Sequence, residues 1–283
     1  MSALPEDALS APGKACGHDG APRSPEAAGE PTARPAHEAP RGISAPARRR
    51  APGPARAAAV LLGKELALEL RTLESVPGMA LFALSTFVIF HFALNRGALQ
   101  GDLAAGVLWV TILLSALLAI NRLFVADAQQ GGFEALALAP VPPGSILAAK
   151  ATALLIYLIV LELIAVPAFA LLLLAQPLAI AAVGVVLTLL LGDIAIAVIG
   201  TLVGALVVRS RARDLLGPLL TLPLVIPVVI GASSALSPLL APHAPTLSAW
   251  LSAQGLRWLI VLGLYDLLFG LIAYALFEFL LED

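Results

Sequence analysis

Cysteine and charge are what this chain has least of. Among 283 residues there is one cysteine, Cys16. That excludes a disulfide framework, a Cys-x-x-Cys redox pair and a Cys-x-x-Cys-His attachment site. Charged residues make up 13% of the chain, where a globular protein carries about a quarter, so an ordinary soluble domain is excluded too. No G-x-x-x-x-G-K-[ST] loop occurs, so any ATP-driven work must use an ATPase on another chain. No apolar stretch follows the first few residues, and no secretory leader is expected there.

What the chain has instead is apolar length. Hydrophobic residues make up 59%, and the mean hydropathy is +0.94. The charges are unevenly spread, with 14 of the 36 Lys, Arg, Asp and Glu in residues 1–57, alongside 10 of the 22 prolines. No apolar residue recurs there at helical or strand spacing, so 1–57 is expected to be a disordered Pro/Ala/Arg-rich tail. Arg48, Arg49, Arg50 and Arg56 would form a basic flank near anionic headgroups. From Ala59 to Leu73 the pattern changes. Ala59, Leu62, Leu66, Leu70 and Leu73 share one helical face, with Glu65, Glu69 and Thr72 opposite. This predicts an amphipathic interfacial helix, turned into the membrane by Pro77-Gly78.

Six spans follow, on the criterion of about 20 apolar residues per crossing. They are expected at Val76–Leu94, Leu103–Ile120, Ala151–Ala175, Leu178–Val208, Leu215–Ile230 (interrupted by Pro218, Pro223 and Pro227) and Trp258–Phe277. With a cytoplasmic N-terminus, Lys64, Arg71, Arg122, Lys150, Arg209, Arg211 and Arg213 face inside, and only Arg96 and Arg257 face outside. That positive-inside bias puts both termini in the cytoplasm. Outside lies Gly231–Arg257, a segment expected at the interface with Trp250 and Trp258 as belt residues, and a place where a periplasmic partner can dock. The fold class is therefore all-α integral membrane: six transmembrane helices behind an amphipathic interfacial helix, in a domain of residues 58–283.

Between the second and third spans lies Asn121–Lys150, the only long amphipathic passage between membrane-length apolar runs. It reads as a helical extension of the preceding span, a bend at Gly131-Gly132, a short helix around Phe133–Leu138 and a return stiffened by Pro140, Pro142 and Pro143. The bland alternative is a loop that merely joins two spans. The order Leu108-Trp109-Val110, Asn121-Arg122-Leu123-Phe124, Asp127, Gly131, Glu134, Leu136, Pro140, Pro142, Lys150 resembles the CcmB family. That family provides the membrane subunit of the cytochrome c maturation haem exporter, an ABC transporter. The resemblance extends over about residues 58 to 283, more weakly outside this segment. Phe124-x-x-Asp127-x-x-x-Gly131 matches the family's cytoplasmic signature, although Gln130 stands where an acidic residue is usual.

The resemblance implies an ABC-2-like permease fold and a non-catalytic subunit in a bacterial inner membrane. It implies Phe124, Asp127, Gly131 and Glu134 as ATPase-coupling residues. It further implies a cytosolic ATPase that carries the ATP, a haem-handling membrane subunit and a haem chaperone as partners, with haem as the substrate to be exported or released. No nucleic-acid partner and no bound metal are expected. Gly200-x-x-x-Gly204 permits close helix approach and leaves a homodimer open. His91 and His243 could share the outer side but are too isolated to assign as haem ligands.

Three acids remain. Glu162, Asp193 and Asp266 each fall near the middle of a span with no Lys or Arg at comparable depth. Such residues mark a pathway or relay, or stay protonated as interhelical donors, which is the favoured reading. Two alternatives to the haem-export reading stay open: an ABC-2-type exporter subunit for a drug, lipid or glycan, and a proton-coupled secondary transporter using the three acids.

Overall fold

The computed structural model describes residues 53–94, 98–129, 142–174, 178, 181–207, 210 and 212–280. Among them no strand occurs, only an isolated bridge between Leu99 and Leu174. Helix α1 runs Pro54–Thr72, α2 Ser75–Ala93, α3 Gly101–Gln129, α4 Pro143–Leu173, α5 Ala182–Val207 and α6 Arg213–Leu236. A 3-10 turn at Ser237–Leu240, the short α7 (Leu247–Trp250) and a π turn at Leu251–Gly255 then lead into α8, Leu256–Leu280. Six of the helices are long and apolar enough to cross a membrane.

The spans fall where their apolar runs do, but the ends differ from expectation. Helix α1 starts at Pro54, with proline in the first turn, where its missing N–H costs nothing. It turns into α2 at Leu73–Glu74 and not at Pro77-Gly78, which lie inside α2. Leu73 achieves this in the left-handed region, φ 48°, ψ 44°, with its N–H donating to Glu69 O at 2.7 Å. Helix α6 passes through Pro218, Pro223 and Pro227 without breaking. In a span, neighbouring helices, side chains and local adjustments can accommodate the backbone groups that proline frees; separately, the Tyr265 hydroxyl of α8 donates to Leu224 O at 2.6 Å and ties α8 to α6.

Helices α3 and α5 form the interior, while α8 is peripheral. Most of the described side chains of α3 are buried, whereas most of those of α8 are exposed or half-buried. Close packing around α5 depends on Gly184, Gly192 and Gly200, spaced eight residues apart and so turned progressively toward different neighbours. A Cβ at Gly192 would collide with the Trp109 indole of α3, and one at Gly200 with Ile120. At Gly184 it would meet Leu239 and Trp250. Trp250 is therefore a core residue, 1% exposed, with its indole N–H donating to Ala235 O at 3.0 Å. It is not the belt residue the sequence suggested. At the far end of α4 two orphan carbonyls find donors: His91 Nδ1 lies 2.6 Å from Leu172 O and Leu99 N 2.7 Å from Leu173 O.

Candidate functional site

The segment that resembles a coupling element is rooted in two helices. Asn121-Arg122 breaks the apolar run of α3, and the helix continues past Leu123 to Gln129, 29 residues in all against about 20 for a crossing. At 1.5 Å per residue that extension projects about 9 Å. Helix α4 begins again at Pro143, with Pro142 at its N-cap, so Pro143–Lys150 is the start of a span and not part of a loop. Phe124 and Asp127 lie on the projecting end of α3; their side chains are outside the described residues, as are Gly131 and Glu134 altogether.

Beside these roots sits a polar cluster that reverses an expectation about α1. Glu65 was placed on the solvent side of the amphipathic helix, yet it is 7% exposed, while Leu70 and Leu73 are 74% and 60% exposed. Its carboxylate Oε1 lies 3.3 Å from Lys150 Nζ, and Lys150 is buried rather than a loop cation. The Tyr157 hydroxyl donates to Glu65 O at 3.4 Å. The reason is position: Lys150, Leu154, Tyr157 and Leu161 recur at helical spacing along the buried stripe of α4, against which α1 packs. That register was the signal available in the sequence. One turn on, Glu69 Oε1 accepts from Ser75 N at 2.8 Å and Val76 N at 3.0 Å, filling two of the donors left open at the start of α2. Arg122 and Glu74 meet at 3.5 Å on the exposed side.

The intramembrane acids divide into a pair and a single. Glu162 on α4 and Asp193 on α5 approach each other across the helix interface. Asp193 is fully buried, and neither of its oxygens, nor Glu162 Oε1, finds a hydrogen-bond partner among the described residues. Asp266 on α8 is not part of this contact, and its Oδ1 likewise lacks a partner among the described residues. Next to the pair a cavity of about 380 Å³ opens between α4 and α5, lined by Glu162, Leu163, Pro167 and Val186 among others. Pro167 lacks the N–H that would bond the Leu163 carbonyl, leaving a further acceptor on this wall. The walls are otherwise apolar. No group of three or more metal-ligating side chains occurs among the described residues.

A bundle with six helices long and apolar enough to cross a membrane defines a multi-pass all-α membrane protein. The family model described as "CcmB protein" matches residues 56–271, and the chain belongs to the CcmB family. Among curated relatives, "Heme exporter protein B" of Rhodobacter capsulatus is 35% identical over 172 residues, 60% of this chain and 78% of that protein. The protein of the same name from Bradyrhizobium diazoefficiens is 34% identical over 175 residues, 62% of this chain and 78% of its own. That of Haemophilus influenzae is 36% identical over 177 residues, 62% and 79% respectively.

Proposed function

We propose that this chain is the membrane (permease) subunit of an ABC transporter complex for cytochrome c maturation. It couples ATP hydrolysis on a separate cytosolic subunit to export of haem or release of a haem-loaded chaperone. Haem enters the proposal as cargo through the name its relatives carry, "Heme exporter protein B". The observation that carries the coupling role is the projection of α3 past its span to Gln129 and the return at Pro143. These give residues 121–150 two helical roots on the same side of the bundle as α1. On this reading that side faces the cytoplasm of a bacterium, with the chain in the inner membrane and both termini inside. Residues 1–57 are then a tail and 58–283 the transmembrane domain.

In this role Phe124 is the apolar anchor on the ATPase, Asp127 caps a helix or pairs across the interface, and Gly131 provides the bend with Glu134 beyond it. The test is pull-down of the ATPase from detergent extracts, alongside the level of holo-cytochrome c. Phe124→Ala should weaken the complex by about 2 kcal/mol or more, as loss of a buried aromatic anchor does. Gly131→Val should mis-aim the segment with no change of charge. Normal ATPase recovery with Phe124→Ala, Asp127→Ala and Gly131→Val alike would sink the assignment.

The facing carboxyls of Glu162 and Asp193 favour a second reading, a proton-coupled secondary transporter. Its mark would be holo-cytochrome formation that survives loss of the ATPase and fails when the proton gradient is collapsed.

A further inference from the structure

Both ends of the coupling segment are tied by opposite charges to one stretch of chain, residues 65–74. At the leading end Arg122 meets Glu74, with side chains 49% and 68% exposed; such a pair contributes little in water. At the returning end Lys150 meets Glu65, with side chains 2% and 8% exposed. A pair this deeply buried has little water to take over from either partner, so parting it is costly. Around it the Tyr157 hydroxyl donates to Glu65 O, and Ser145 Oγ donates to Pro54 O at 3.0 Å, so α1 is held along the first turns of α4. At its other end α1 is bound to α2 through the two N–H groups that Glu69 accepts.

We infer that Glu65 and Lys150 are positioning residues that make α1 and the first turns of α4 one body, so that displacement of the coupling segment reaches the start of α2 through α1. This rests on reading residues 121–150 as the coupling segment, and it adds the route that motion takes into the membrane. Alternative routes run straight along α3 or α4 and leave α1 a bystander.

The experiment uses the full chain, carrying Cys16→Ser and co-expressed with the ATPase. Ala58→Cys and Ala148→Cys, two positions lining a cavity of about 300 Å³ between α1 and α4, report that contact through the yield of a bifunctional maleimide cross-link. Glu65→Gln and Lys150→Met are each expected to lower two readings several-fold while the ATPase still co-purifies. These readings are the cross-link yield and the holo-cytochrome c formed per ATP hydrolysed. The exchanged pair Glu65→Lys with Lys150→Glu is expected to restore both, a rescue that general loss of stability would not give. Should the single variants misfold, Glu65→Met with Lys150→Met removes both charges of the pair together. It is expected to insert normally and to hydrolyse ATP with low output per ATP. Cross-link yield unchanged in the single variants overturns the inference. So does a lost cross-link with full output per ATP, or full output from the double methionine variant. If the wild-type chain fails to retain the ATPase, the coupling-segment reading falls instead, and the cross-link yields still decide whether the pair holds α1.

Discussion

Leu73 closes α1 with its backbone in the left-handed region, where its Cβ crowds the following carbonyl. The side chain is 60% exposed, so little packing is lost by removing it. Leu73→Gly should therefore stabilise the chain by about 1 kcal/mol, read as a higher unfolding temperature in detergent. The intramembrane acids call for a different substitution. If Glu162 and Asp193 are neutral hydrogen-bonding groups, Glu162→Gln and Asp193→Asn keep the size and a donor, and holo-cytochrome c should stay near wild type at equal protein level. Abolished output with normal protein level would instead assign them proton chemistry. All three acids were visible in the sequence as lone charges in apolar runs. The approach of Glu162 to Asp193 was not, because it depends on how α4 is rotated against α5. Glu65 was misplaced for a similar reason: its helix is amphipathic in two directions, and the face that packs carries the carboxylate.

Among the helices, α5 depends most on what its residues lack. With the Trp109 indole filling the space beside Gly192, even a methyl group must push it aside. Gly192→Ala should cost about 1–3 kcal/mol, the usual penalty for overpacking. Gly263→Ala on the peripheral α8, where a Cβ meets nothing within 4 Å, should be neutral or slightly stabilising. Thermal melts of the two variants, monitored by size-exclusion of the detergent-solubilised chain, separate the outcomes. Span number and approximate limits could be read from apolar length alone, since a crossing needs a fixed number of residues. Helix ends could not. That α6 runs on through three prolines depends on its packing in the bundle, and whether Trp250 lies in a belt or a core depends on the space at Gly184 and Gly255.

For the molecule as a whole, the described helices begin at Pro54, whose helix is capped by a bond from Ala57 N to Gly53 O at 3.0 Å. Deleting residues 1–52 leaves that bond in place. Membrane insertion and ATPase co-purification are expected to survive the deletion, as fractionation and pull-down would show. The motif Phe124-x-x-Asp127-x-x-x-Gly131 was legible as a pattern, and the continuation of α3 to Gln129 agrees with the helical extension that the sequence implied, while the chain from Pro143 on is already helix. The buried ion pair at the second root sets an order on synthesis. Glu65 and Lys150 stand 85 residues apart in the chain, and elongation proceeds at roughly 5–20 residues per second. For something like 4–17 s after Glu65 is added to the chain, its partner does not yet exist. During that interval α1 must stay hydrated at the bilayer surface while two spans are inserted ahead of it, and it can dock only when the third is delivered.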